Sequence, residues 1–232
     1  ARDLARNFLN IVFYDEFSDE GGQLVPARTQ NRLHRWQQPI RLAIEFGASV
    51  PARQRLKDKA DIAAYLATLS RLTGLPMHIT TQGANHIVLI QNIDERQAAA
   101  ARLQEIAPEA SEAAIRSIKR MKPDTYCTVF AFTTGDSAIY DRAVTVIRGE
   151  LPDLLRLACI HEELAQSLGL VDDSPKARPS IFNDNQEFAL LTRQDEMMLR
   201  MLYDPRLKPG MTLAEARPII ETIARELVGG DS

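Results

Sequence analysis

Cysteine is scarce in this chain of 232 residues, where Cys127 and Cys159 are the only two. They are too few for a disulfide-framework fold and too far apart for a CxxC redox or metal pair. Charge of one sign is missing too. Lys and Arg total 28 against 31 Asp and Glu, giving a formal net charge of -3 and a pI near 5.9. That balance gives no broad electrostatic reason to hold nucleic acid or an anionic membrane. No apolar run approaches the roughly 20 residues of a membrane helix. No basic segment leads into an apolar one in the manner of a signal peptide. The chain therefore reads as soluble, with any export signal removed or never there. It has no GxSxG elbow, no glycine loop for phosphate, no internal repeat and no low-complexity tract.

What is there is an ordinary globular composition, 45% hydrophobic and 25% charged. That supports a sizeable core in one large domain or two small ones. Residues 1–32 read as an N-terminal arm, whose first 25 residues are a helix or apolar stretch followed by a loop at Gly21 and Gly22. Ile40–Phe46 alternates apolar residues with Arg41 and Glu45, which predicts a strand. Ile62, Leu66, Leu69 and Leu72 keep helical spacing, and Gly74 stops that helix. "HITTQGANHIVLIQN" (78–92) reads as two short strands about a Gly turn. Residues 94–121 are rich in Ala and charge, hence helical, with a break at Pro108. The basic stretch "RSIKRMK" (116–122) reads as a solvated helix face. "YCTVFAFTT" (126–134) and "AIYDRAVTVI" (138–147) are β-rich, with Gly135 and Asp136 between them, as neighbouring antiparallel strands require. "ELPDLLRLACIHEELAQSLG" (150–169) is a helix with Pro152 in its first turn and Gly169 at its end. A polar loop covers 171–188. Thr192 with Asp195, and Thr212 with Glu215, then carry capping-box spacing before two further helices. The order predicts an α/β (α+β) fold: a sheet subdomain over 33–169 and a mostly helical one over 170–232, in one compact unit.

The helix at 150–169 carries the chemical signal. Projected at about 100° per residue, Leu154, Leu157, Leu164 and Leu168 cluster on one side with Ala158 and Ala165. His161 falls within that arc, so it is expected to face the core as a neutral, hydrogen-bonded histidine. Cys159, Glu162, Glu163 and Gln166 take the other side. His34, His78 and His86 are scattered, and "DEMMLRML" (195–202) reads as core filling. The two cysteines leave two readings open: one bridge in an oxidising compartment, or two unrelated buried thiols.

"HEELAQSLGL" (161–170) begins as a zinc-peptidase helix does, but Ala165 stands where its second histidine belongs. Metzincins read H-E-x-x-H-x-x-G-x-x-H, with ligands at i, i+4 and i+10 and the general base at i+1. Framed from residue 162, those places hold Glu162, Gln166 and Asp172, with Glu163 as the base position and Gly169 as the turn. "EELAQSLGLVDD" thus resembles a metzincin active helix and turn with its ligands replaced. "SIF" (Ser180, Ile181, Phe182) resembles a Met-turn with Phe182 in place of methionine. "LTRQDEMMLRMLYDP" (191–205) is similar to the closing helix of the same group. The phrases "HEELAQSLGL", "SPKARPSIFND" and "LYDPRLKPGM" resemble a bacterial family called domain of unknown function 2927, from Leu33 onward.

The resemblance implies a metzincin-like mixed sheet, with 126–134 as the edge strand of a cleft and the 150–169 helix as its floor. The edge strand would border that helix, so Cys127 and Cys159 would be placed to form a bridge. Alternatively, Cys127 points to the far side of its strand. Glu, Gln and Asp offer only oxygen donors, which suit calcium or magnesium better than zinc. No cofactor is expected. The expected role is an exported, periplasmic pseudoenzyme that binds an extended peptide or protein near 126–134, or serves as a structural module of the cell envelope. Nucleic acid and a membrane span are not expected. Two rivals stand beside it: a hydrolase using Glu163 with an atypical metal, and a thiol/disulfide sensor through Cys127 and Cys159.

Overall fold

The computed structural model describes residues 1–20, 23–121, 124–183 and 187–230, so the expected Gly21–Gly22 loop and the end of the 116–122 basic stretch lie outside the described residues. The chain runs α1 (Arg2–Val12), β1 (Tyr14–Glu20), β2 (Gln23–Gln30), β3 (Arg35–Trp36), β4 (Ile40–Phe46) and α2 (Ala52–Thr73). It continues through β5 (Met77–Ile79), β6 (His86–Gln91), a 3-10 turn, α3 (Arg96–Ile106) and α4 (Glu112–Lys119). The last elements are β7 (Cys127–Thr133), β8 (Ile139–Arg148), α5 (Asp153–Gln166), α6 (Arg193–Leu202) and α7 (Leu213–Gly229). This is a mixed α+β fold.

The central sheet lies in the order β5-β4-β6-β8-β7, with β3 paired to the start of β8. Every pair is parallel except β7 with β8, which runs antiparallel from Cys127 opposite Ile147 to Thr133 opposite Tyr140. Gly135, at φ +60, makes the reversal between them. The two strands about Gly83 are not neighbours of each other. β5 and β6 flank β4 on opposite sides, both parallel to it. Residues 80–85 step across β4, held by Arg41, whose Nε donates to the Gly83 carbonyl at 2.6 Å.

Both faces of the sheet are covered, which explains why "HIVLI" is apolar without alternation. Val88 and Ile90 enter the larger core with α1, α2, α5, α6 and α7. Ile87 and Leu89 point the other way, to Ala99, Ala100, Leu103 and Ile118 of α3 and α4. The result is three layers. α2 starts at Ala52, after Pro51 at its N-cap and earlier than its apolar stripe, and its first buried residue is Asp58 rather than an aliphatic one. Its stop is Gly74, at φ +72. α1 buries Phe8 and Ile11 in the same core and packs on α7, so the two ends of the chain share one layer.

Pro108 separates α3 from α4, and Ser111 caps the latter by accepting the Ala114 N–H at 3.1 Å. Both capping boxes form, Thr192 with Asp195 on α6 and Thr212 with Glu215 on α7. Among the described residues no helix is long and apolar enough to cross a membrane.

Candidate functional site

β8 feeds directly into α5, which starts after Pro152 at its N-cap position. α5 lies with α2 against one side and β7 and β8 against another. Helix and sheet together cover more of it than a two-sided wheel allows. Leu154, expected in the apolar arc, is 62% exposed, whereas Arg156, Cys159, Ile160 and Glu163 are buried. Arg156 is accommodated because its guanidinium forks onto the buried Asp58 carboxylate of α2, with Nε and Nη2 at 3.0 Å from its oxygens. A charge inside a helix face is stable when a bidentate partner is buried with it.

His161 sits at the margin of the buried face, half-buried against α2. Its ring stacks on Tyr65 with centroids 3.9 Å apart. Its Nδ1 accepts the Leu191 N–H at 3.1 Å, so the neutral ring carries its proton on Nε2. Burial drives its pKa down to about 4, with Asp61 opposing weakly.

On the sheet side, Cys159 is bonded to Cys127, joining α5 to the first residue of β7 with Cα atoms 5.8 Å apart. Ligand atoms of Cys127, Glu162 and Glu163 all lie within 4.8 Å of one another. Glu163 is 5% exposed and Glu162 half-buried. The Cys127 sulfur, shared with Cys159, is not a thiolate, so only the carboxylates carry charge there. Two carboxylates fall short of the six or more oxygens calcium takes. Asp172 lies outside this group.

The turn after α5 is held from several sides. Gly169 adopts φ +122, and a Cβ there would sit 2.3 Å from the His34 carbonyl oxygen. Trp36 Nε1 donates to the Ser167 carbonyl at 2.8 Å, and the Tyr203 hydroxyl to that of Leu168 at 3.1 Å. Gln166 donates its side-chain amide to the Asp173 carboxylate at 3.1 Å. The buried Asp172 donates its own N–H to the Ile11 carbonyl at 3.0 Å, tying the turn to α1.

Ser180, Ile181 and Phe182 are all buried. They are organised by Asp195 of α6, a fully buried carboxylate. It accepts the Ser180 hydroxyl at 2.5 Å and the N–H groups of Ile181 and Thr192 at 3.1 and 2.9 Å. Burial pushes the Asp195 carboxyl above its usual range, while these donors pull it down. The sequence marks Asp195 as a cap, but not as the clamp of the 180–182 turn. Arg35 is likewise missed: buried, it donates to the carbonyls of Leu202, at the end of α6, and of Asp204 and Leu207 beyond it. An Arg-Trp pair before a strand is the one sequence signal for it.

Fold and site together define an α+β domain whose central helix is bonded to an antiparallel edge strand. The chain belongs to the family described as protein of unknown function, DUF2927, whose model matches residues 1–222. The match takes in α1 and the β1–β2 hairpin as well as the chain from Leu33 onward. No curated protein matches the chain.

Proposed function

We propose that this domain is a metzincin-like pseudoenzyme of an oxidising compartment outside the cytoplasm, which binds an extended peptide along β7 without cutting it. The observation that carries this reading is the bridge between Cys127 and Cys159, which ties β7, the wall of the peptide groove in this reading, to α5. A wall so fixed suits a rigid receptor better than a site that opens in each catalytic cycle. Among the described residues only β8 pairs with β7, and all seven β7 residues are half-buried. An edge with free main-chain donors and acceptors is a template for an added strand.

Other features support the metzincin part of the reading. A parallel sheet with one antiparallel edge strand leads through β8 into α5, and a glycine turn and a buried Ser-Ile-Phe turn follow. Glu162, Gln166 and Asp172 stand where that group places imidazoles. A Glu163 carboxylate without a metal is a weak activator of water for peptide hydrolysis. Bridged cysteines fit an exported protein, since such bonds persist mainly outside the cytosol.

The test is hydrogen exchange on the oxidised protein with a library of extended peptides. Slowed exchange at residues 127–133 is the expected outcome, and protection confined to other elements removes the proposal. The hydrolase rival is favoured only by the buried place of Glu163 near Glu162. Peptide cleavage that disappears with Glu163→Gln would establish it.

A further inference from the structure

We propose that reduction of the Cys127–Cys159 bridge turns the junction of α5 and β7 into a zinc site, with both thiolates and the Glu162 and Glu163 carboxylates as donors. Cys159, Glu162 and Glu163 are spaced i, i+3 and i+4, so all three leave α5 toward the same side. Cys127 meets them from β7. The donor atoms of Cys127, Glu162 and Glu163 already lie within 4.8 Å of one another, and the Cys159 sulfur is bonded to that of Cys127. Donors on a tetrahedral zinc stand about 3.3–3.8 Å apart, given Zn–S near 2.3 Å and Zn–O near 2.0 Å. Once the S–S bond is broken, side-chain rotation alone covers that difference.

The donor set also selects the metal. Two thiolates with one or two carboxylates suit zinc and are poor donors for calcium or magnesium, hard cations that take six or more oxygens. In the oxidised protein the sulfurs are bonded to each other and neutral, which leaves two carboxylates and a weak site. The exchange is balanced with a dithiol as reductant. Its two sulfurs form a new S–S bond, the Cys127–Cys159 bond breaks, and its two hydrogens pass to the cysteines. Zinc then displaces both protons as it binds. The inference concerns the reduced protein and stands apart from peptide binding by the oxidised one.

The test is a metal titration of the full chain, oxidised and after reduction by a phosphine, which adds no competing thiol. Zinc is read by competition with a chromophoric chelator, and cobalt by its thiolate charge-transfer band. The reduced protein is expected to take one equivalent, about a hundredfold or more tighter than the oxidised protein. Glu163→Gln is expected to weaken binding about tenfold or more. The doubly substituted Cys127→Ser, Cys159→Ser chain, its fold checked by circular dichroism, should show no charge-transfer band. If reduction loosens the fold, recovery of the native spectrum with one equivalent of zinc supports the site equally. A reduced protein that binds no metal overturns the proposal. So does equal binding by the oxidised or doubly substituted chain, or loss of fold that zinc does not reverse.

Discussion

The rings of Tyr65 and His161 stack 3.9 Å apart at 17°, and the Tyr65 hydroxyl donates to the His161 carbonyl at 2.9 Å. One residue of α2 thus grips both the ring and the backbone of one residue of α5. This contact, with the Asp58–Arg156 pair on the same two helices, sets how α2 and α5 lie against each other.

It also makes the protein acid-sensitive. His161 is held at a pKa of about 4 and the buried His86, bonded to Thr145, at about 3. Both values lie below the unfolded value near 6.5. A depressed folded pKa means the stability from these groups is present above pH 6.5 and lost as pH falls toward 4 and then 3. His161 alone accounts for roughly 2–3 kcal/mol after allowing for its partial exposure. Denaturant midpoints measured between pH 7 and 4 should fall, and His161→Gln should flatten the upper part of that fall. An unchanged slope in the variant would show that His161 is not held neutral.

The bridge between Cys127 and Cys159 should stabilise the fold by about 2–4 kcal/mol through the loop it closes. Intact mass without reductant is expected to be two hydrogens below that of the reduced chain. Urea unfolding with and without reductant should differ by the stated amount. Two freely alkylated thiols in the native protein would contradict the structure.

Asp195→Ala removes the acceptor for the Ser180 hydroxyl and for the Ile181 and Thr192 N–H groups, leaving buried donors unmet. The expected loss is about 3–5 kcal/mol. Asp195→Asn keeps one oxygen, and the Ser180 hydroxyl can turn to accept from the new amide, so about 1–2 kcal/mol is expected. Unfolding midpoints of the two variants test this order, and an equal loss in both would show that the charge, not the acceptor geometry, holds the 180–182 turn.

Gly169→Ala meets both a left-handed φ and a carbonyl oxygen 2.3 Å from the new Cβ. A loss of about 2–4 kcal/mol is expected by thermal unfolding, since the blocking atom is backbone of residue 34 and cannot swing aside.

Local signals made much of the fold legible. Gly135 between two β-rich runs sets the β7–β8 reversal, and Thr-x-x-acid spacing marks both closing helices, because each depends on residues adjacent in the chain. The pairing of β5 and β6 with β4 was not legible, since a parallel neighbour leaves no turn signature and alternation records burial, not partner. The α5 wheel erred for a related reason. A helix packed on both α2 and the sheet buries polar residues that find distant partners, as Arg156 finds Asp58, while Leu154 at its start lies beyond that cover. At the site, the motif frame names Glu162, Glu163 and Gly169 from spacing alone. That Gln166 turns to Asp173, and that Asp195 clamps Ser180, depends on side-chain geometry that spacing does not encode.

The oxidised protein is expected to retain an extended peptide without cleaving it. Mass spectrometry of an extended-peptide library, captured on the oxidised chain and then eluted, tests this in one measurement. Recovery of intact peptides is the predicted result. Cleaved products that vanish with Glu163→Gln, or a library that passes through unretained, would contradict it.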